Sequence, residues 1–446
     1  MAENDPFAGI DSIDWKSLNH AYGSAEDVPD ILRELQSSDE NVRAGAYCGL
    51  YSNIFHQGTR YDATPFAVPF LYNLLDDPAT PQKDELMQLL VSLAIGIVSY
   101  DEPVGMNVVA WRNHIASLQD SETQRPTMVN SMAEVEKEQG QAGQEKEICD
   151  DSDNDSEDGD MFEDYDTEAR LLCPLIEYRS YRAVQDGIDS ICARLQDESA
   201  VVRANAAYAL AWFPDVQQKT QAALFDLLDH EQDVGVRATA LFSLAVTQAM
   251  TGDFSETQVV QRLRAVNSDE HSDIFIRWVS SLGLVKLKAF TPEQLSDVIH
   301  KLADESYLEE YEPSKIKGTS FVFVDHGVAD LTALAALETE CLKGSEYPEL
   351  AKAIISAFKS CRGLKLLTLT ETALRVVFDG EKPSKEQRFE DFHPVQQELV
   401  GELAVVDETN WHLLNFSRGL QCWNLPHEEA EMREFAKTWR DVPSKL

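Results

Sequence analysis

Residues 197–245 contain two copies of the same amphipathic helical pattern. If Arg203 is aligned with Arg237, 34 residues later, small and apolar residues coincide along both segments. In the first copy the apolar residues recur every three or four positions, which places Val202, Ala206, Leu210 and Phe213 on one stripe of an α-helix. A further apolar helix precedes each copy. The sequence therefore predicts an all-α fold, an α-solenoid or superhelix of stacked antiparallel helix pairs.

Two more copies of this pattern lie around Arg43 and Arg277. Four residues before each arginine stands a residue type that caps helix N-termini, so each copy is expected to begin there. A capping acid and an arginine one turn later can also link neighbouring repeats. We interpret the arginines as structural, not anion-binding, because they keep the register of the apolar stripe. The predicted structural residues are Asp39 with Arg43, Ser199 with Arg203, Asp233 with Arg237, and Asp273 with Arg277.

The recurring pattern D/S-x-x-[VI]-R-x-x-[AS]-[AYLS]-x-x-L resembles HEAT repeats, in particular the short variety of HEAT-like and phycobilin-lyase-type proteins. The resemblance covers about residues 25–100 and 168–290. The segments W-x-x-L-x-x-A-Y-G, from Trp15, and H-Q-G-T-x-Y, from His56, are similar to a group of poorly characterised HEAT-repeat proteins. The resemblance implies the solenoid fold, but it implies no established activity.

An acidic stretch separates the repeats into two groups. Residues from Glu134 to Glu168 hold 16 acids against two lysines, and like charges at this density repel one another with almost nothing to bury, which predicts disorder. This stretch is either an inert solvated loop or a segment that recruits basic partners or is phosphorylated. The predicted segments are an N-terminal leader (1–24), first HEAT-like repeats (25–118), the disordered acidic insertion (119–166), central HEAT-like repeats (167–305) and degenerate C-terminal helical repeats or a cap (306–446).

Beyond residue 290 the copies decay, and helices are predicted from local apolar patterns alone. The β-prone segment GTSFVFVDHG, residues 318–327, is predicted to be an ordered loop that bridges two repeats. The segment FDGEKPSKEQ, residues 378–387, is predicted to be a turn and hinge. The predicted helices cover residues 326–343, 348–360, 363–378, 394–405 and about 427–439.

Charge and cysteine content limit the possible partners and compartments. The formal net charge of −40 repels the phosphate backbone and anionic lipids, so neither nucleic acid nor a membrane is expected as a partner. No apolar run reaches the roughly 18 residues of a membrane helix, and no secretory signal is visible. The seven scattered cysteines indicate a reducing compartment. We expect a monomer in the cytoplasm, or alternatively in the nucleus.

The sequence contains no recognisable catalytic motif. Patterns of serine hydrolases, zinc peptidases and P-loop enzymes do not occur. Among HEAT-fold enzymes, deoxyhypusine hydroxylase binds iron through repeated His-Glu pairs, but here such pairs occur only at His230-Glu231 and His427-Glu428. No histidine has another three or four positions away, as a helical metal site would need. No catalytic residue, cofactor or metal is therefore predicted.

Candidate recognition residues are concentrated in two N-terminal segments. Residues 56–66 are either a loop whose polar groups cap neighbouring helices or part of a partner-binding ridge. Three tryptophans follow the apolar pattern and are assigned to the core: Trp212, Trp278 and Trp423. The sequence around three others has a weaker apolar pattern, so they are candidates for exposed anchors: Trp15, Trp111 and Trp411. The predicted partner-binding residues are Trp15, Tyr22, His56, Gln57, Arg60 and Tyr61.

Two classes of function follow from these observations. The favoured one is a non-enzymatic scaffold or adaptor, whose acidic solenoid surface attracts a basic protein or peptide electrostatically and holds it by aromatic and arginine contacts. The alternative is a small-molecule-binding or lyase-like HEAT-repeat protein with a ligand groove. Acids on the inner helices would favour the scaffold, and a deep apolar pocket with converging polar side chains would favour the ligand groove.

Overall fold

The structure of the chain is a computed structural model. It describes residues 5–96, 163–303, 319, 321–323, 343–360, 364–412 and 414–437. Trp111 and most of the predicted acidic insertion lie outside these residues, as does the predicted helix 326–343 apart from its last residue. The last four residues of the predicted insertion, 163–166, form the beginning of a helix.

Among the described residues, α-helices dominate and two short β-hairpins lie near the N-terminus. The first hairpin pairs β1 (Asn19–His20) with β2 (Gly23–Ser24), and the second pairs β3 (Phe55–His56) with β4 (Thr59–Arg60), both antiparallel. The helices are α1 (Val28–Glu34), α2 (Glu40–Asn53), α3 (Thr64–Asp76), α4 (Lys83–Ile95), α5 (Glu163–Asp186), α6 (Ile188–Arg194), α7 (Ala200–Ala209), α8 (Gln217–His230), α9 (Val234–Met250), α10 (Gln258–Ser268), α11 (Ile274–Lys286), α12 (Pro292–Ala303), α13 (Pro348–Ser360), α14 (Leu364–Val377), α15 (Pro394–Ala404), α16 (Glu408–Trp411), α17 (Leu414–Cys422) and α18 (Glu429–Phe435).

The chain divides into two compact units. Of the described residues, the first unit comprises 5–81, 92–96 and 163–187. The second unit comprises 82–91 and the described residues from Ile188 onward, so that α4 contributes to both.

The N-terminal leader belongs to the core of the first unit. Trp15 is 4% exposed, and its indole N–H donates to the carbonyl oxygen of Ile10 at 2.8 Å. The Trp15 ring lies 6.4 Å from that of Phe70 in α3. The expectation that Trp15 is an exposed anchor is therefore wrong, because its apolar neighbours come from a helix about fifty residues away and not from its own segment.

A close contact joins α3 to the end of α5 within the first unit. The hydroxyl of Tyr72 donates to the carbonyl oxygen of Val184 at 2.5 Å. Gly187 lies against the same ring, and a Cβ atom at this position would stand 2.2 Å from a Tyr72 ring carbon. Only glycine lets the chain approach the Tyr72 ring this closely.

In the second unit, consecutive helices form antiparallel pairs. Only residues 231–233 separate α8 from α9, and only residues 269–273 separate α10 from α11, so the chain reverses between the two members of each pair. Helix α9 packs against both α7 and α11. The predicted apolar stripe is buried, including Val202 and Ala206 in α7 and Leu210 directly after it. The prediction of an all-α fold of stacked helix pairs is confirmed.

Helices α9 and α11 are covered on all sides over most of their length. Every residue of α9 from Gly235 to Gln248 is buried except Arg237, and so is every residue of α11 from Trp278 to Lys286. A helix with one face in water would show an exposed polar stripe. Other parts of the protein must therefore cover the face that an inner solenoid helix would leave to solvent.

The C-terminal helices follow the predicted bounds closely. Helices α13, α14 and α15 occupy the predicted ranges to within one residue, and α18 lies inside the range predicted for the last helix. Helices α16 and α17 were not predicted. Trp411 is 8% exposed and packs its ring 5.0 Å from that of Phe416, so the expectation that it is an exposed anchor is wrong as well.

Candidate binding surfaces

The two β-hairpins of the first unit are held side by side by hydrogen bonds. The backbone N–H of Asn19 donates to the carboxylate of Asp62 at 2.7 Å, and that of Ala63 donates to the carbonyl oxygen of Asn19 at 3.2 Å. Burial raises the pKa of Asp62, although the backbone hydrogen bonds from Asn19 and its own segment oppose the shift. Asp62 thus anchors the first hairpin to the segment that follows the second.

The tips of the two hairpins form a small surface of Tyr22, His56 and Gln57, which we call the hairpin surface. Tyr22 is 68% exposed, its ring lies edge-on 5.5 Å from the ring of His56, and its hydroxyl lies 3.4 Å from His56 Nδ1. Gln57 is exposed with a positive φ of 51°, in a turn that it shares with Gly58. The turn directs the Gln57 side chain away from the core.

A hydrogen-bond chain fixes the position of Tyr22. The backbone N–H of Tyr22 donates to His20 Nδ1 at 3.0 Å, and His20 Nε2 lies 3.0 Å from a carboxylate oxygen of Asp27. Because Nδ1 accepts a hydrogen bond, we assign the ring proton to Nε2, which then donates to Asp27. His20 is buried, and Asn53 donates to the other oxygen of Asp27 at 2.9 Å.

Arg60 is the second predicted partner-binding residue that the structure removes from the surface. Its side chain is 4% exposed, with Nη1 donating to the carbonyl oxygen of Gly58 at 2.6 Å and Nη2 at 3.5 Å from a Glu177 carboxylate oxygen. An arginine can be buried in this way because an acid far along the chain balances its charge. His56 and Tyr61 are both half-buried, so Tyr22 and Gln57 are the exposed members of the predicted set.

The residues at the start of the repeated helices occupy N-cap positions. Each side chain accepts a hydrogen bond from a backbone N–H of the first turn of its helix, which satisfies a donor that has no partner within the helix. The N-caps and their donors are Asp39 with Asn41, Ser199 with Val202, Asp233 with Gly235 and Val236, and Asp273 with Phe275.

Three of the four repeated arginines bind carbonyl oxygens just before their own helix, in the connecting turn for Arg43 and Arg203 and in the last turn of α10 for Arg277. Arg43 Nη1 donates to Ser37 at 2.9 Å, Arg203 Nη1 to Asp197 at 2.9 Å, and Arg277 Nε to Asn267 at 3.0 Å. Cations that bind the last carbonyl oxygens of a helix stabilise its C-terminus. Within each pair the arginine therefore fastens the second helix to the end of the first.

Arg203 also links one helix pair to the next. Its Nε and Nη2 donate to the two carboxylate oxygens of Glu231, at 2.6 and 3.1 Å. Glu231 stands in the turn between α8 and α9, where it also accepts from the backbone N–H groups of Gln232 and Asp233. Burial alone would raise the pKa of Glu231. Its hydrogen bonds to Arg203 and to the backbone lower the pKa by more than burial raises it, so the net shift is downward. These contacts give the repeated arginine an internal, structural role.

The comparison with known families agrees with this geometry. Residues 166–245, which contain the Ser199 and Asp233 copies of the motif, match the family model of HEAT repeats. The chain contains HEAT repeats. No curated protein and no solved structure matches the chain. The comparisons therefore give a repeat type and not an activity.

The second unit carries an aromatic groove, which we define by Tyr208, Trp212, Phe242 and Phe275. A segment from much later in the chain fills it. Phe323 places its ring 4.9 Å from the rings of both Tyr208 and Phe242, and Phe321 places its ring 5.8 Å from that of Phe275. These two phenylalanines supply part of the cover over α9 and α11.

The described residues also bear on metal ions and membranes. Among them, no group of three or more His, Cys, Asp or Glu side chains is arranged to hold a metal ion. No helix in the described ranges is long and apolar enough to cross a membrane.

Proposed function

We propose that the protein is a non-enzymatic scaffold that binds a basic protein or peptide at the hairpin surface of its first unit. HEAT repeats in general serve as protein-interaction scaffolds, and the chain contains them. The observation that carries the proposal is the exposure of Tyr22 within a stretch of the chain, residues 5–40, whose acids are all exposed. An aromatic side chain this exposed adds nothing to the core, but it suits contact with a partner.

The charge around Tyr22 selects the partner. Residues 5–40 contain nine acids, all exposed, against two basic residues. One of these bases, Arg33, donates to Asp11 at 2.6 Å and to Asp30 at 3.0 Å, so its charge is balanced locally. The acids are Asp5, Asp11, Asp14, Glu26, Asp27, Asp30, Glu34, Asp39 and Glu40. Such a surface accelerates encounter with a basic partner and disfavours an acidic one.

The hairpin surface supplies the short-range contacts. The Tyr22 ring offers its face to a lysine or arginine of the partner, and His56 and Gln57 offer hydrogen bonds beside it. His20 and Asp27 hold Tyr22 in place, so little conformational entropy is lost when a partner binds.

The test measures binding of synthetic basic peptides to the full chain by fluorescence anisotropy, at about 50 and about 300 mM salt. The peptides carry a net charge of about +4, with lysine or arginine as the basic residue. We expect binding that weakens at high salt, is stronger for arginine peptides, and falls about tenfold or more in Tyr22→Ala. A peptide affinity that is the same at both salt concentrations and in Tyr22→Ala would contradict the proposal.

A matched pair of charge variants distinguishes this surface from the charge of the whole chain. The variant Asp14→Asn/Glu26→Gln/Glu34→Gln removes three exposed acids of the acidic stretch 5–40 that contains Tyr22, and Glu198→Gln/Asp226→Asn/Glu270→Gln removes three exposed acids of the second unit. Only the first variant is expected to weaken binding strongly. Equal losses in both would assign the binding to net charge and not to the hairpin surface.

The ligand-groove alternative receives less support. The aromatic groove holds the chain's own phenylalanines, so an apolar ligand would have to displace them. No observation among the described residues favours a catalytic use of this groove.

A further inference from the structure

Residues 319–323 sit on the HEAT repeats in the way a bound peptide would. The described residues of this segment, 319 and 321–323, are not helical and begin 69 residues beyond the end of α9, yet they contact α7, α9 and α11. Phe321 is 3% exposed, and its ring lies 5.9 Å from Phe242 and 5.8 Å from Phe275. Phe323 fills the adjacent position, between Tyr208 and Phe242.

The groove also holds the main chain of this segment. The backbone N–H of Thr319 donates to Asp233 Oδ2 at 3.1 Å, and that of Val322 donates to Thr239 Oγ1 at 3.3 Å. The other carboxylate oxygen of Asp233, Oδ1, caps α9, and the Thr239 hydroxyl donates to the carbonyl oxygen of Gly235. Both residues thus offer an acceptor that the helix itself does not use.

Together these contacts form a recognition pattern that does not depend on the chain being continuous. Aromatic pockets for residues two positions apart give selectivity for side chains, and acceptors for backbone N–H groups bind any peptide in the same register. Recognition of this kind does not require a covalent connection between the segment and the repeats.

We propose that the aromatic groove is a second binding site, which takes a non-helical peptide of a partner protein with the motif aromatic-x-aromatic and which residues 319–323 occupy in cis. The site lies in the second unit and is independent of the hairpin surface. The chain's own segment competes with the partner, so the apparent affinity falls by the fraction of molecules in which the groove is open. The partner proposed for the groove, an aromatic-x-aromatic peptide, thus differs in class from the basic partner proposed for the hairpin surface.

The test uses the full chain and a fluorescein-labelled peptide of residues 318–327. The double variant Phe321→Ala/Phe323→Ala empties the groove. We expect the peptide to bind this variant about tenfold or more tightly than it binds the wild type, because the wild-type segment competes. A peptide with alanine at both phenylalanine positions is expected not to bind. Peptides with tyrosine or tryptophan at these positions are expected to bind, as a partner's motif would.

Circular dichroism checks that the double variant folds. If it does not, the single variant Phe323→Ala, which opens only the position between Tyr208 and Phe242, takes its place in the same measurement. A folded variant that fails to bind the peptide overturns the proposal. A dimer in which two copies exchange this segment, and from which the free peptide does not displace it, also overturns the proposal. The groove would then serve self-association.

A matched pair of substitutions tests the polar acceptors separately. Asp233→Ser keeps an N-cap oxygen, as Ser199 does in the preceding repeat, but removes the acceptor for the Thr319 N–H. Thr239→Val removes the acceptor for the Val322 N–H while keeping the shape of the side chain. In the emptied-groove background each is expected to weaken peptide binding about three- to tenfold. Asp273→Ser, which changes the N-cap of α11, is the control and should leave binding unchanged.

Discussion

The guanidinium group of Arg203 binds both carboxylate oxygens of Glu231, across the boundary between two helix pairs. The Glu231 side chain is 5% exposed and that of Arg203 is 19% exposed. Loss of either partner leaves a largely buried charge without its counterpart. We expect Arg203→Met and Glu231→Gln each to lower the free energy of unfolding by about 2–3 kcal/mol in urea denaturation. Glu198→Gln, at an exposed neighbouring acid, should change it little. A loss no larger than that of the control would show that the pair adds nothing.

The same pair predicts a dependence of stability on pH. The folded state lowers the pKa of Glu231 below its usual 4.5, so its stabilising effect is complete above that pH and is lost as the pH falls through the folded value. The difference in unfolding free energy between wild type and Glu231→Gln should therefore be constant near neutral pH. It should shrink below about pH 4. A difference that persists unchanged under acid would mean that the charge of Glu231 is irrelevant.

Lys286, at the end of α11, predicts a second dependence of stability on pH, in the alkaline range. Burial lowers the pKa of Lys286 from 10.5 to about 7. Between these values the unfolded chain binds a proton that the folded chain does not, so rising pH stabilises the fold by about 1.4 kcal/mol per pH unit. We expect Lys286→Met to be more stable than the wild type at pH 7, with the advantage shrinking toward pH 10. The exposed Lys288 provides the control, since Lys288→Met should show no such trend. Thermal unfolding between these pH values makes the comparison.

Gly187 and Tyr72 form a steric pair that a double-mutant cycle can test. No positive φ constrains Gly187, so the obstacle to a side chain there is the Tyr72 ring. We expect Gly187→Ala to destabilise the protein by about 2 kcal/mol or more, through overpacking. In the Tyr72→Ala background the same substitution should cost much less, because the ring is gone. Equal costs in both backgrounds, measured by urea denaturation, would locate the constraint in the backbone.

Trp15 and Tyr22 separate the structural from the binding role within the first unit. Trp15→Ala should lower the free energy of unfolding by about 3–5 kcal/mol, because it removes a buried ring and its hydrogen bond to Ile10. Tyr22→Ala should change stability by less than about 1 kcal/mol while weakening the binding of basic peptides. If Tyr22→Ala unfolds the protein, the hairpin surface is part of the core and not a binding site.

The repeated helices could be predicted because their determinants are local. In the copy Asp233–Leu244, the N-cap residue, the arginine and the apolar stripe all lie within one short stretch of sequence. Each makes its structural contribution within its own helical turn or the turn before it. The partner of Arg203 was not predicted. Glu231 lies 28 residues later, and a lone acid in a turn resembles any exposed acid until the fold brings the two together.

The hairpins and the filled groove could not be predicted for two different reasons. Strands of two residues, such as Phe55–His56, are too short for an alternating pattern to be seen. The groove depends on Phe321 and Phe323, whose contacts span more than forty residues. A signal did exist in α9, which has one charged residue, Arg237, in 17 positions. A helix so poor in charge has no face for water, and this indicates that something covers it.

The span of Phe321 and Phe323 restricts how this array could change in length. Solenoids ordinarily gain or lose repeats by duplication or deletion, because each repeat contacts only its neighbours. Here one short segment touches α7, α9 and α11 simultaneously, and its two rings are spaced to match them. Duplicating or deleting the α8–α9 pair would put one ring out of reach of its site, so descendants of this chain should vary in repeat number elsewhere and keep these three helices as an indivisible set.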